Sequence, residues 1–122
     1  MFDRPSPSLL IAEARRALEG GVAPGFPQKV VANALGIAQR QLEMGPALEE
    51  EERTRLVDLL GPEEDLASLN GRLAVAIRSA SIDAEEPALI NHLIRTTVAK
   101  LEIDQPAYPA FRAWRGSKPD QA

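Results

Sequence analysis

The side chains of this 122-residue chain that could do chemistry are few. There is one histidine, His92, and no cysteine, which excludes thiolate nucleophiles, disulfides and Cys-ligated zinc. No HExxH or HxxxH sets a second imidazole at helical spacing for a metal, no GxSxG presents a serine, and neither GxGxxG nor GxxxxGK[ST] offers a phosphate-cradling loop. On a helical wheel His92 falls outside the apolar arc, near Arg95, Thr96 and Ala99, so a solvent-facing position is expected. The acidic run Glu49 to Glu52 reads as the charged first turn of a helix, complementing its macrodipole. No catalytic residue, metal or cofactor is expected.

Two polar groups are left over. In "VANALGIAQRQLEMGP", residues 31 to 46, Asn33, Gly36 and Arg40 form a stripe along one border of the apolar arc. Either Asn33 and Arg40 bond within the bundle as a polar clamp, or they belong to a docking surface that Gly36 lets another backbone approach. Asn70 is a similar border residue further on. A pocket lined by Asn33, Arg40 and Asn70 would favour ligand binding, with Arg40, Arg78 or Arg95 meeting a phosphate or carboxylate, and a filled core would favour the clamp. The second group is the tail: Tyr108, Phe111 and Trp114 recur every three residues, with Arg112 and Arg115 on another side. They cap the bundle or dock on a partner, Trp, Tyr and Arg being common interface anchors.

These residues need helices to position them, and the punctuation supplies the helices. Ser6 is a natural N-cap with Pro7 at the first helical position; Leu10, Ile11, Ala14, Ala17 and Leu18 share a face, and Gly20-Gly21 ends the run. Pro27 opens a second helix that Gly45-Pro46 should stop, and a third follows to Gly61-Pro62 with Leu48, Leu56, Leu59 and Leu60 on its apolar side. Its i,i+4 pairs Glu49–Arg53 and Glu51–Arg55 stand in the favourable order. A fourth helix carries Leu66, Leu69, Leu73, Ala76 and Ile77 towards the core, and Pro87 starts the last long one, with Leu89, Ile90, Leu93, Ile94, Val98 and Leu101 on one face. Pro109 can open a final turn. No segment alternates with the two-residue period of a strand. The expectation is an all-α single-domain bundle of about five helices, mostly antiparallel neighbours, over residues 1–108, followed by an aromatic and basic tail over 109–122 that is partly mobile.

Composition narrows the class. A formal charge of −4 disfavours nucleic acid as a partner, and no run of 18 apolar residues suggests a membrane span. Without cysteine or a leader-like start, a cytoplasmic location is expected.

Taken together, "DRPS", "VANALGIAQRQLEMGP", "LASLNGRLAVAIR" and "HLIRTTVAKLEIDQPAY" resemble a family of small uncharacterised bacterial proteins classed as a domain of unknown function. The resemblance spans residues 2 to about 108, and its polar positions are Arg4, Asn33, Arg40, Asn70 and Arg78. Members of that family are typically encoded beside an aminoglycoside-phosphotransferase-like kinase and an acyl-CoA dehydrogenase. The resemblance therefore implies a non-catalytic accessory protein binding the kinase, the dehydrogenase or both, in an acyl-CoA degradation context. An acyl-CoA or small-ligand binding module and a self-associating structural protein, a homo-oligomer, are the alternatives.

Overall fold

The structure, a computed structural model, describes residues 1–63 and 65–117. It is all-α: α1 (Pro7–Glu19), α2 (Phe26–Leu60), α3 (Leu66–Arg78), α4 (Pro87–Asp104) and α5 (Pro109–Ser117). No strand occurs among the described residues, and no described helix is long and apolar enough to cross a membrane. The expected end of the tail, from Lys118 onwards, lies outside the described residues.

The caps fall where the sequence puts them. The Ser6 hydroxyl accepts from the Leu9 amide at 3.3 Å, Pro7 opens α1, and Pro87 opens α4. At the end of α2 the chain turns through Gly61 at φ 98°, and the Gly61 amide closes the last turn on the Val57 carbonyl at 2.8 Å. Asp65, which the sequence reading does not single out, caps α3 by accepting from the Ala67 amide.

The expected stop at Gly45-Pro46 is not there. α2 runs unbroken for 35 residues, a rod of about 50 Å at 1.5 Å per residue, and is the spine of the molecule. Three features let it pass. Proline clashes with the Cβ of the preceding residue in a helix, and Gly45 has none. Proline also takes the N–H from the Leu42 carbonyl, but Leu42 stands on the exposed side of the helix, where water can take the place of the lost donor. Finally, α4 bonds to both halves, to Arg40 on one side of the proline and to Arg55 on the other, and splints the joint. Gly45 itself is buried: an added Cβ would stand 3.3 Å from the Phe2 ring, which lies across the helix there. The fifth helix is therefore α5 in the tail.

α1 folds back along the first half of α2, where Ala14 and Ala38 are buried and their small side chains allow close approach. α3 folds back along the second half, making the apolar core of Leu56, Leu69, Leu73 and Leu89 with Val57, Leu60, Leu66 and Ile82 around it. Each large side chain buried here contributes about 2 kcal/mol. α4 is also antiparallel to α2, since His92 near its start meets Arg55 and Ile103 near its end meets Arg40.

The α2–α4 contact is a seam of coiled-coil spacing. The buried positions are Ala38, Gly45, Glu52 and Leu56 on α2, and Leu89, His92, Ala99 and Ile103 on α4, steps close to three, four and seven residues. Its centre is polar. The apolar stripe that the wheel assigns to the core, Ile90, Leu93 and Ile94, consequently faces outward and is exposed, as are Leu35, Leu42 and Ile77.

Candidate functional site

The first polar cluster lies in the seam. Glu52 is 1% exposed and His92 2% exposed, so neither is the surface group that its own helix suggests. Arg55 leaves its expected partner Glu51: its Nε donates to His92 Nδ1 at 3.1 Å and its Nη2 to Thr96 Oγ1 at 3.2 Å. Arg53 likewise pairs with Glu50 at 3.5 Å and not with Glu49. Glu52 Oε2 accepts from Asn70 Nδ2 at 3.1 Å, while Oε1 has no hydrogen-bond partner among the described residues. Burial pushes the Glu52 carboxyl up, against the Asn70 hydrogen bond that favours its charge. Burial, and then the Arg55 charge, push His92 down and hold it neutral, with Nδ1 free to accept. With its acceptor taken by Arg55, His92 is a structural base in this arrangement. Among the described residues no group of three or more His, Cys, Asp or Glu could hold a metal ion.

A second constellation sits at the other end of α4. Arg40 Nε donates to the Ile103 carbonyl at 2.7 Å, tying the last turn of α4 to α2. Its guanidinium lies over Gly36, where an added Cβ would stand 3.1 Å from Nη1. Gly36 thus makes room for Arg40's own head group, not for another backbone. Asn33 stands on the same side with no side-chain hydrogen bond among the described residues. Arg40 and Asn33 share a cleft of about 630 Å³ with Arg4, Gln41, Asp104 and Tyr108. Burial, followed by the nearby Asp3, raises the Asp104 carboxyl, while Asp3 itself pairs with Lys100 at 3.3 Å. Arg4 and Arg40 make no ion pair among the described residues.

The third feature is the tail. α5 lays Phe111, 3% exposed, on α4, with Trp114 stacked on it at 6.3 Å between ring centroids. Arg115 pairs with Glu102 and covers the Phe111 ring at 5.2 Å, a cation–π contact. Between α5 and the outward stripe of α4 runs an apolar groove of about 440 Å³, floored by Leu93, Ile94, Thr97, Val98 and Leu101 with Trp114 on its wall. Leu93 is 44% and Ile94 41% exposed. Arg112, next to Phe111, is exposed and makes no ion pair among the described residues.

The polar residues singled out in the sequence therefore do not form one site. Asn33, Arg40 and Tyr108 meet at the cleft, Asn70 joins the buried seam, and Arg78 stands exposed in the last turn of α3, apart from both. Tyr108 lines cleft and groove alike. Glu52, His92 and Arg55 are the residues the sequence reading missed. Only the heptad-like spacing of Ala38, Gly45 and Glu52 could have pointed to them.

No curated protein and no solved structure matches the chain. Asn33, Arg40, Asn70, Arg78 and Tyr108 fall within the segment that a family profile covers, whereas Arg4 and the α5 residues fall outside it. Residues 16–108 match the profile described as Domain of unknown function (DUF6285), and since that segment is most of the chain, the protein belongs to that family.

Proposed function

We propose that the protein is a non-catalytic helical accessory protein that docks on a partner protein through the groove between α4 and α5. One observation carries the reading: α4 spends its polar line on the seam with α2 and leaves its apolar stripe, Ile90, Leu93 and Ile94, uncovered. Contiguous exposed apolar surface of this kind marks interaction sites. Trp114, seated on the buried Phe111, extends the surface with an aromatic side chain, and the unpaired Arg112 favours a partner with carboxylates beside its apolar contact. The partner implied by the family resemblance is a phosphotransferase-like kinase, in an acyl-CoA degradation context.

Co-expression with a phosphotransferase-like kinase of the kind the family resemblance implies, followed by pull-down and gel filtration, tests this. Co-elution as a stoichiometric complex supports the reading. Separate elution with unchanged kinase activity overturns it, as does light scattering that shows the isolated protein already paired with itself through the groove.

A further inference from the structure

The cleft at the C-terminal end of α4 shares Tyr108 with the groove, but its chemistry is different. Two guanidiniums, Arg4 and Arg40, reach it without an ion-pair partner among the described residues. Arg40 is also held: Nε is fixed on the Ile103 carbonyl at 2.7 Å, and the absent Cβ of Gly36 lets the head group lie against α2. A guanidinium fixed through Nε keeps its plane and offers its terminal nitrogens as a pre-set fork. The amides of Asn33 and Gln41 stand by with no side-chain hydrogen bonds of their own among the described residues. Leu10 and Ile37 give the cleft an apolar wall. Of its two carboxylates, Asp3 is occupied by Lys100, while Asp104, raised by burial and Asp3, feels the Arg40 charge without forming an ion pair with it among the described residues. At about 630 Å³ the cleft has the volume of a small-molecule site.

The geometry points to this cleft as a binding site for a small organic anion, with its carboxylate or phosphate group on Arg40 and Arg4, its polar edge on Asn33 and Gln41, and a short apolar body against Leu10 and Ile37. The carboxylate and phosphate forms share the same recognition, a planar pair of N–H donors meeting two anionic oxygens. This site does not depend on the docking groove.

The test is an amide NMR titration of the full chain with valerate in one arm and monobutyl phosphate in the other, against sodium chloride at matched ionic strength. The expected result is saturable movement of the amides of Asn33, Gly36, Arg40 and Gln41 by at least one probe, with a dissociation constant of about 1 mM or tighter. Whichever arm saturates names the head group. Arg4→Glu and Asn33→Ala change exposed side chains without hydrogen bonds, so both variants fold, and each weakens binding by about tenfold or more. Ile94→Asp, in the groove, binds the probe like the wild type, which separates this inference from the docking reading. The inference is overturned if neither probe moves those amides beyond the chloride control, or if Arg4→Glu and Asn33→Ala bind as tightly as the wild type.

Discussion

Lowering the pH should unlock the seam at His92. The imidazole is buried, and its Nδ1 accepts from Arg55 Nε at 3.1 Å, a contact that only the neutral ring can make. Protonation would set an N–H against an N–H and a second positive charge beside the guanidinium. Two like charges about 4 Å apart at an effective dielectric of about 20 repel by about 4 kcal/mol. The sign follows from linkage. Burial and Arg55 depress the folded group below its ordinary value of 6.5, so its stabilising contribution is complete above that value and is lost as pH falls below it. The loss has a ceiling, the free energy that the unfolded histidine gains by binding the proton, about 2 kcal/mol between pH 7.5 and 5.0. The repulsion opposes protonation of the folded ring, so the loss runs towards that ceiling and never beyond it. Glu52 works in the opposite direction, because its raised carboxyl destabilises as pH rises from its ordinary range through the folded value. The measurement is therefore a difference: urea unfolding of the wild type and of His92→Asn, whose amide oxygen can accept from Arg55 and does not titrate. The wild type should lose stability relative to the variant between pH 7.5 and 5.0, by up to about 2 kcal/mol. Identical pH profiles would refute the assignment of a neutral, buried His92.

Other expectations follow from the same contacts. Pro46→Ala restores an N–H to the Leu42 carbonyl inside a helix that is already continuous, and should raise stability by about 1–2 kcal/mol, seen as a higher urea midpoint. Gly36→Val places carbon against the Arg40 head group and should break its bond to Ile103, costing about 1–2 kcal/mol by urea unfolding and speeding amide exchange in the last turn of α4. Glu52→Gln keeps an acceptor for Asn70 while removing a buried titrating carboxyl, so its stability should fall less steeply than the wild type's as pH rises above the ordinary carboxylate range, Asp104 still contributing; an unchanged slope there would count against a buried, raised Glu52.

Helix starts were legible because each rests on local chemistry: Ser6 with Pro7, Pro87 and Pro109 all open helices as their types require. The all-α class followed from the same periodicities. The Gly45-Pro46 pair misled because both residues break helices in isolation, whereas here the glycine removes the clash that the proline creates and α4 spans the joint. α4 shows the deeper limit. A wheel ranks faces by hydropathy and turns Leu93 and Ile94 inward, but α2 offers α4 a seam that carries Glu52 and Arg55, and the face that satisfies it holds His92 and Thr96. That choice depends on a partner helix 37 residues away in sequence from His92, which no local pattern contains. The cleft was half legible: Asn33 and Arg40 stood out as polar residues their helix does not need, while Arg4, Asp104 and Tyr108 join them only through the fold.

The proposed docking is tested most directly by titrating a phosphotransferase-like kinase, the proposed partner, with the wild-type protein and with Leu93→Asp by isothermal calorimetry. Leu93 is already exposed, so the substitution leaves the helical circular dichroism intact while placing a charge on the groove floor. A one-to-one complex with a dissociation constant of about 1 μM or below is expected for the wild type, and binding weakened by about a hundredfold for the variant. Equal affinity for the two proteins would contradict it.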